Sequence, residues 1–285
     1  MSGGGAVTVV GDLVEDVVVW LTGPVTVGTD NPAAVRRSPG GSAANVAAAV
    51  ARAGGRARFV GRVGDDGSGD VLAAQLGAAG VDVRVQRGGR TGTVVVLVDP
   101  DGERTMFPDR GAAAALQGID PAWLDGTAVL HVPAYGLQTA ATVLVDAART
   151  VRAAGGAVTV DVSATSVVDA LGAGALCELF GELAPAIVFA NHDEAVALGV
   201  IDTCPPWPVV VKRGPQPALV VRPDGSITEV PAVAVDRVRD TTGAGDAFAG
   251  GFLAAWTAGA GTDLVAACAA GHAAAAAVLG RAGAR

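Results

Sequence analysis

Apolar, β-branched runs alternate with alanine-rich stretches along most of this chain. Residues 6–11 (AVTVVG) form a short, continuously apolar run, the pattern of a strand buried on both faces. Similar runs at 57–63, 128–132, 157–162, 186–190 and 208–212 predict five more strands. Between and after them, helices are expected over 42–53 and 70–80, and near 139–154, 192–199, 246–258 and 262–279. Strand–helix alternation of this kind builds a mostly parallel sheet covered by helices on both faces. Residues 13–39 and 90–108 break the alternation. Both are strand-like, with turn residues such as Asp99-Pro100-Asp101-Gly102, and are expected to pair as a small β-sheet lid. The expected organisation is a core of residues 1–12, 40–89 and 109–285, with residues 13–39 and 90–108 as the lid.

Composition adds to this picture. Glycine occupies 41 of 285 positions, about twice its usual share. With 51% hydrophobic and 17% charged residues, the chain can bury a large core. Lys and Arg total 20, of which Lys212 is the one lysine and the rest are arginines. The two side chains behave differently beside a phosphate, so a lone lysine in an arginine-rich chain marks a position to watch. A net charge of −8 argues against a general nucleic-acid-binding surface. No basic region precedes an apolar run near Met1, and the uncharged stretch 264–280 is too short for a good membrane span; a cytoplasmic protein is expected. Cys177, Cys204 and Cys268 lie far apart, as reduced core thiols do.

Three chemistries are excluded by their missing motifs. Lys212 is followed by Arg213, so there is no phosphate-binding Gly-Lys-Ser/Thr step, and no GxGxxG dinucleotide turn occurs. His131, His192 and His272 lack metal-ligand spacing, and neither HExxH nor GxSxG is present. What remains is Asp240-Thr241-Thr242-Gly243-Ala244-Gly245-Asp246-Ala247-Phe248. Phe248, Phe252 and Trp256 recur at helical spacing, so the Gly-Ala-Gly-Asp stretch starts a helix. Backbone N–H groups there can hold an anion, and Asp246 beside them can take a proton from an attacking hydroxyl. A glycine-rich turn with an ordinary acidic residue in its first helical turn would look the same.

The longer string decides between these readings. DTTGAGDAF closely resembles the signature of the ribokinase-like (PfkB) carbohydrate kinases. Gly40-Gly41-Ser42-Ala43-Ala44-Asn45 resembles that family's Gly-Gly substrate loop. The stretch Val60-Gly61-Arg62-Val63-Gly64-Asp65-Asp66-Gly67-Ser68-Gly69 is similar to its second glycine-rich region, and Asn191-His192-Asp193-Glu194 to its NxxE motif. The resemblance implies a three-layer α/β/α core, a small β lid and ATP-dependent phosphorylation of a hydroxyl on a small sugar. It implies Asp246 as catalytic base, with Gly243, Ala244 and Gly245 as the anion hole. Glu194 would act on Mg²⁺ through water, with Asn191 near the ATP phosphates. Lys212 and Gly214 would form an ATP-binding turn, and His272 would lie near the adenine. Asp16, Gly41 and Asn45, with Asp12 as a further candidate, would bind sugar hydroxyls. Asp240 and Thr242 correspond to residues around a K⁺ site in some members. A homodimer through the lid strands is implied by several relatives.

Local structure explains some of the same residues. Asn191 and Glu194 have capping-box spacing, Lys212 suits an exposed strand end, and His272 suits helix packing. Asn45 suits a first helical turn and Asp12 a turn. The chain also departs from ribokinase itself. Val14 stands where that enzyme has a polar sugar contact, Ser42 replaces its loop lysine, and Asp161-Val162-Ser163 replaces an Asp-Pro-Asn type sequence. Two alternatives follow: a nucleoside kinase, with Phe107 and Trp20 as the main aromatic candidates for a base pocket, or a non-catalytic sugar or nucleotide sensor.

Overall fold

The computed structural model describes residues 5–200, 205–238, 241–259 and 261–280. β1 (Ala6–Gly11) lies inside the main sheet, with Val7 and Val9 in one core cluster and Val10 in the other. That two-sided burial is why its sequence reads as unbroken apolar residues. The chain then leaves this sheet through β2 (Val14–Leu21) and β3 (Ala33–Gly40). It returns through α1 (Ser42–Arg52), β4 (Ala57–Val63), α2 (Gly67–Ala78) and β5 (Asp82–Arg87). A second excursion comprises β6 (Thr91–Val98) and β7 (Arg104–Gly111), so strand pairing continues past residue 108.

The parallel winding continues through β8 (Thr127–Pro133), α3 (Leu137–Ala153), β9 (Ala157–Asp161), α4 (Thr165–Leu171) and α5 (Ala173–Leu183). It passes next through β10 (Ile187–Asn191), α6 (His192–Ala197) and β11 (Val209–Lys212). β12 (Ala218–Val221) and β13 (Ile227–Val230) add an antiparallel hairpin, before α7 (Ala244–Ala258) and α8 (Leu264–Leu279). The nine-stranded sheet runs β13-β12-β11-β10-β9-β8-β1-β4-β5, and a separate four-stranded sheet runs β3-β2-β6-β7. One core cluster gathers α1, α2, α7 and α8 on one face of the large sheet. The other gathers α3 to α6 on the opposite face. The α/β/α layering expected from the alternation is thus present.

α4, α5 and the β12–β13 hairpin were not anticipated. Gly172, at φ +83°, separates two helices too short to show a long period. The hairpin is closed by Pro223-Asp224-Gly225, a turn signal carried by two strands of only four residues each.

Small residues set the position of α7. Eight consecutive residues of α1, Ala43 to Val50, are buried, mostly alanine. A Cβ on Gly250 would collide with the Ala49 methyl on α1. One on Gly251 would come within 2.5 Å of the Ala274 methyl on α8. α7 is therefore wedged between α1 and α8, which accounts for much of the glycine and alanine surplus. The same packing brings the N-termini of α1 and α7 together above the carboxyl ends of the parallel strands, where α/β sheets open a crevice. Among the described residues, no helix is long and apolar enough to cross a membrane.

Candidate active site

Gly243, in the left-handed conformation at φ +73°, turns the chain into α7. Asp246 follows in the first turn. Its Oδ1 accepts a hydrogen bond from Ser42 Oγ at 2.7 Å and its Oδ2 one from Asn45 Nδ2 at 2.9 Å. Both donors sit in the first turn of α1, so the α1–α7 packing aims the carboxylate. Burial pushes Asp246 up to about 7, against the pull of these two donors; Asp161 raises it further and Lys212 opposes. The carboxyl is thus poised to exchange a proton near neutrality. The turn uses one of its own donors: Ala244 N–H bonds the Thr241 carbonyl at 3.1 Å. Ala244 is therefore less available for an anion than its two glycine neighbours.

Lys212 is not an exposed strand-end lysine. Its Nζ donates to Asp161 Oδ2 at 2.6 Å, and the two side chains are 15% and 8% exposed. A Cβ on Gly245 would lie 3.5 Å from the same Nζ, which places the ammonium beside the first turn of α7. Burial alone would depress Lys212, but Asp161 and Glu194 outweigh it and hold the ammonium above its ordinary range. Asn191 and Glu194 form a complete capping box on α6. Asn191 N and Nδ2 both donate to Glu194 at 2.8 Å, and Glu194 N donates to Asn191 Oδ1 at 2.8 Å. Burial, then Asp161, raises the Glu194 carboxyl above its ordinary value.

The residues expected to meet the acceptor cluster around the start of α1, where Asn45 already bonds Asp246. Gly41, at φ +98°, has the Asp12 carbonyl where a Cβ would stand, so only glycine fits. Asp12 Oδ1 accepts from Ala43 N at 3.2 Å and its Oδ2 from Arg110 Nη1 at 3.0 Å. Arg110, from β7, lies over the Tyr135 ring at 4.3 Å. Burial pushes Tyr135 up to about 12, so its hydroxyl stays a donor, to the Ser163 carbonyl at 3.2 Å. Asp16, on β2, packs its carboxylate against Gly40, leaving no room for a side chain there.

The remaining expected residues have other surroundings. His272 is 7% exposed; its Nε2 lies 3.2 Å from the Val230 carbonyl and its ring meets Phe248 edge-on. It packs α8 against the sheet. Gly214, at φ +59°, turns the chain between β11 and β12. Thr242 is half-buried just before the Gly243 turn, and Asp240 lies outside the described residues. Phe107 pairs in register with Val95, and Val95 with Val17. Side chains alternate along a strand, so Phe107 lies on the face of the small sheet opposite Asp16 and is 53% exposed. It is therefore not a base-stacking residue over the crevice.

Ser42, Arg110, Tyr135 and Asp161 were not among the expected site residues. Asp161 had a readable signal: a carboxylate ending a buried parallel strand sits where such sheets bind ligands. Ser42 differs from the family pattern, which concealed it, and the Arg110–Tyr135 pair is a tertiary contact with no sequence period.

The donor set fits ATP. A glycine at position 245, the Lys212 ammonium 3.5 Å from where its Cβ would stand and a helix N-terminus form a cradle for a phosphate chain. Among the described residues no cluster of three carboxylate, His or Cys ligands could hold a metal ion by itself. Glu194 has its oxygens engaged by Asn191, so Mg²⁺ would be carried mainly by phosphate oxygens and water, with Glu194 acting through that water.

A model of the pfkB family carbohydrate kinases matches residues 6–285. The ATP-dependent ribose-1-phosphate kinase of Halopiger xanaduensis is 38% identical over 78% of this chain and 74% of its own. The fructokinase of Klebsiella pneumoniae is 34% identical over 83% of each. Among solved structures, adenosine kinase from Sinorhizobium meliloti superposes with a TM-score of 0.85 at 26% identity, covering 100% of this chain and 96% of that one.

Proposed function

Since the chain belongs to the pfkB family of carbohydrate kinases, we propose that Asp246 is the base through which it phosphorylates a small sugar from ATP. The observation that carries this reading is the Asp246 carboxylate, fixed by Ser42 and Asn45 at the start of α7 with Lys212 alongside. Asp246 takes the proton of the acceptor hydroxyl as its oxygen attacks the terminal phosphorus. Lys212 and the amides of Gly243 and Gly245 offset the charge on the transferring group. Mg²⁺ supplies further neutralisation of the phosphate oxygens when bound, and Glu194 orients its water. Asn191 keeps Glu194 in place. Asp12, Asp16, Asn45 and the backbone at Gly41 bind the acceptor hydroxyls, and the small sheet closes over them to exclude water.

The acceptor we favour is a sugar or sugar derivative rather than a nucleoside. The register leaves Trp20 as the aromatic residue on the Asp16 face of the small sheet, and Arg36 lies over it at 5.7 Å. The test is ADP release with Mg-ATP over a panel of ribose, ribose 1-phosphate, fructose, sugar acids and nucleosides, with and without K⁺. Turnover is expected with a sugar member, and stimulation by K⁺ would support a cation site at Thr242 and Asp240. Turnover with nucleosides alone would replace the sugar reading, and none at all would favour a sensor.

The base assignment has a pH signature. With Asp246 near 7, kcat rises as the carboxylate forms, on the alkaline side of that value. Ser42→Ala removes a bond that favours the ionised form, so its acidic limb should move to higher pH. A limb at the wild-type position would separate Ser42 from the base.

The opposite face of the small sheet presents Val17, Val19, Val35, Val95, Leu97 and Phe107, all exposed or half-buried. This apolar face supports a homodimer formed lid to lid in the cytoplasm, where ATP is available. Light scattering should then give twice the chain mass for the wild type and the single mass for Phe107→Asp. A monomeric wild type would contradict it.

A further inference from the structure

Asp161 ends β9 and Lys212 ends β11, with β10 between them. Phe189 pairs with Asp161 and Asn191 with Lys212, which sets Asp161 and Lys212 on one face of the sheet, toward α7. Both oxygens of Asp161 are engaged. Oδ2 accepts from Lys212 Nζ at 2.6 Å, and Oδ1 accepts from Ser163 N at 3.0 Å. Ser163 holds the left-handed conformation, φ +74°, unfavourable for a residue with a side chain. It is kept there by three more bonds: Ser163 Oγ to the Asp161 carbonyl at 3.0 Å, Ala134 N to Ser163 Oγ at 3.1 Å, and Tyr135 hydroxyl to the Ser163 carbonyl at 3.2 Å. Strain pinned this firmly beside a site indicates a positional requirement.

A lysine ammonium is a point charge on a flexible stem, and its location needs an anchor. We propose that Asp161 is a positioning residue acting through Lys212: it holds the ammonium beside the first turn of α7, where the transferring phosphoryl group gains charge. This rests on the kinase reading with Asp246 as base. It assigns the chain's one lysine to the transfer step more than to ATP affinity, and it gives the left-handed Ser163 a task. Other charged or titratable groups face this pair. Glu194 does so from α6, and Asp246 from α7. His131 lies one step lower on β8, kept neutral by burial at about 4. The Asp12–Arg110 pair lies beyond Tyr135.

The test is a double-mutant cycle of Asp161→Asn and Lys212→Met in the full chain, with the acceptor that the wild type turns over. Each single variant should lose about 100-fold in kcat, with the ATP KM within about threefold. With kcat taken on the alkaline plateau, where the Asp161 charge no longer bears on the ionisation of Asp246, the double variant should be no worse than Lys212→Met, because the proposed role of Asp161 runs through the lysine. Losses that multiply, or an Asp161→Asn variant with wild-type kcat, would overturn the proposal. If Asp161→Asn melts too low to assay, Asp161→Glu keeps the charge but shifts it by one methylene. It should keep wild-type melting and lose about tenfold in kcat; a wild-type kcat would overturn the proposal. A wild type inactive on every acceptor would overturn the kinase reading itself and this inference with it.

Discussion

Asp246→Asn should lower kcat by about 10³- to 10⁴-fold, the upper part of the range for general-base catalysis. Asparagine is nearly isosteric and can still meet Ser42 and Asn45. What it lacks is a site for the acceptor's proton. Removing a carboxyl that burial pushes up to about 7 also removes a desolvation cost, so melting should stay level or rise. Substrate KM values should move little, since the cradle and the acceptor ligands are intact. A variant within tenfold of wild type would remove Asp246 from the base role.

Gly250→Val should also be damaging, from a position that touches no substrate. Besides the Ala49 methyl, its Cβ would face the Val46 carbonyl and the Val50 amide, each at 2.9 Å. Backbone cannot yield as a side chain does, so α1 and α7 must part. Overpacking of this sort costs about 1–3 kcal/mol, which in a chain this long lowers melting by several degrees. The larger effect falls on activity, because α1 carries both donors to Asp246 while α7 carries Asp246 itself. A displacement of about 1 Å in such a pair can cost about 100-fold in rate. Gly181→Ala, on α5 with open space around it, is the control and should leave both properties level. Wild-type kcat in Gly250→Val would show that the helix contact does not set the geometry of the base.

Much of this arrangement is legible in the sequence, for identifiable reasons. β1 and β10 are buried on both faces and therefore read as unbroken apolar runs. α7 declares itself through Phe248, Phe252 and Trp256 on one face. α4 and α5 were hidden by Gly172, although Leu176, Phe180 and Leu183 are all buried at helical spacing. The site divides similarly. The turn before Asp246 carries its chemistry in consecutive residues. The Asn191–Glu194 spacing allowed a cap or a metal role, and the cap is formed in full. Lys212 drew notice as the one lysine, but its partner Asp161 is 51 residues away, and only strand order brings the two together. His272 allowed an adenine contact or helix packing, and its ring packs against Phe248 with Nε2 near the Val230 carbonyl.

The small residues have two separate uses. At Gly250 and Gly251 they let helices approach; at Gly41 they let backbone approach backbone where substrate is expected. Only the second use is chemical, which is why a glycine-rich composition alone did not point to a reaction.

The proposed reaction transfers a phosphoryl group from ATP to a sugar hydroxyl at Asp246. Phosphorus NMR of the wild-type chain with Mg-ATP and the acceptor it turns over tests this directly. The expected spectrum shows a new phosphomonoester in amount equal to the ADP formed, and no such signal with Asp246→Asn over the same period. ADP accompanied by inorganic phosphate instead of a phosphomonoester, or an undiminished phosphomonoester signal from Asp246→Asn, would contradict it.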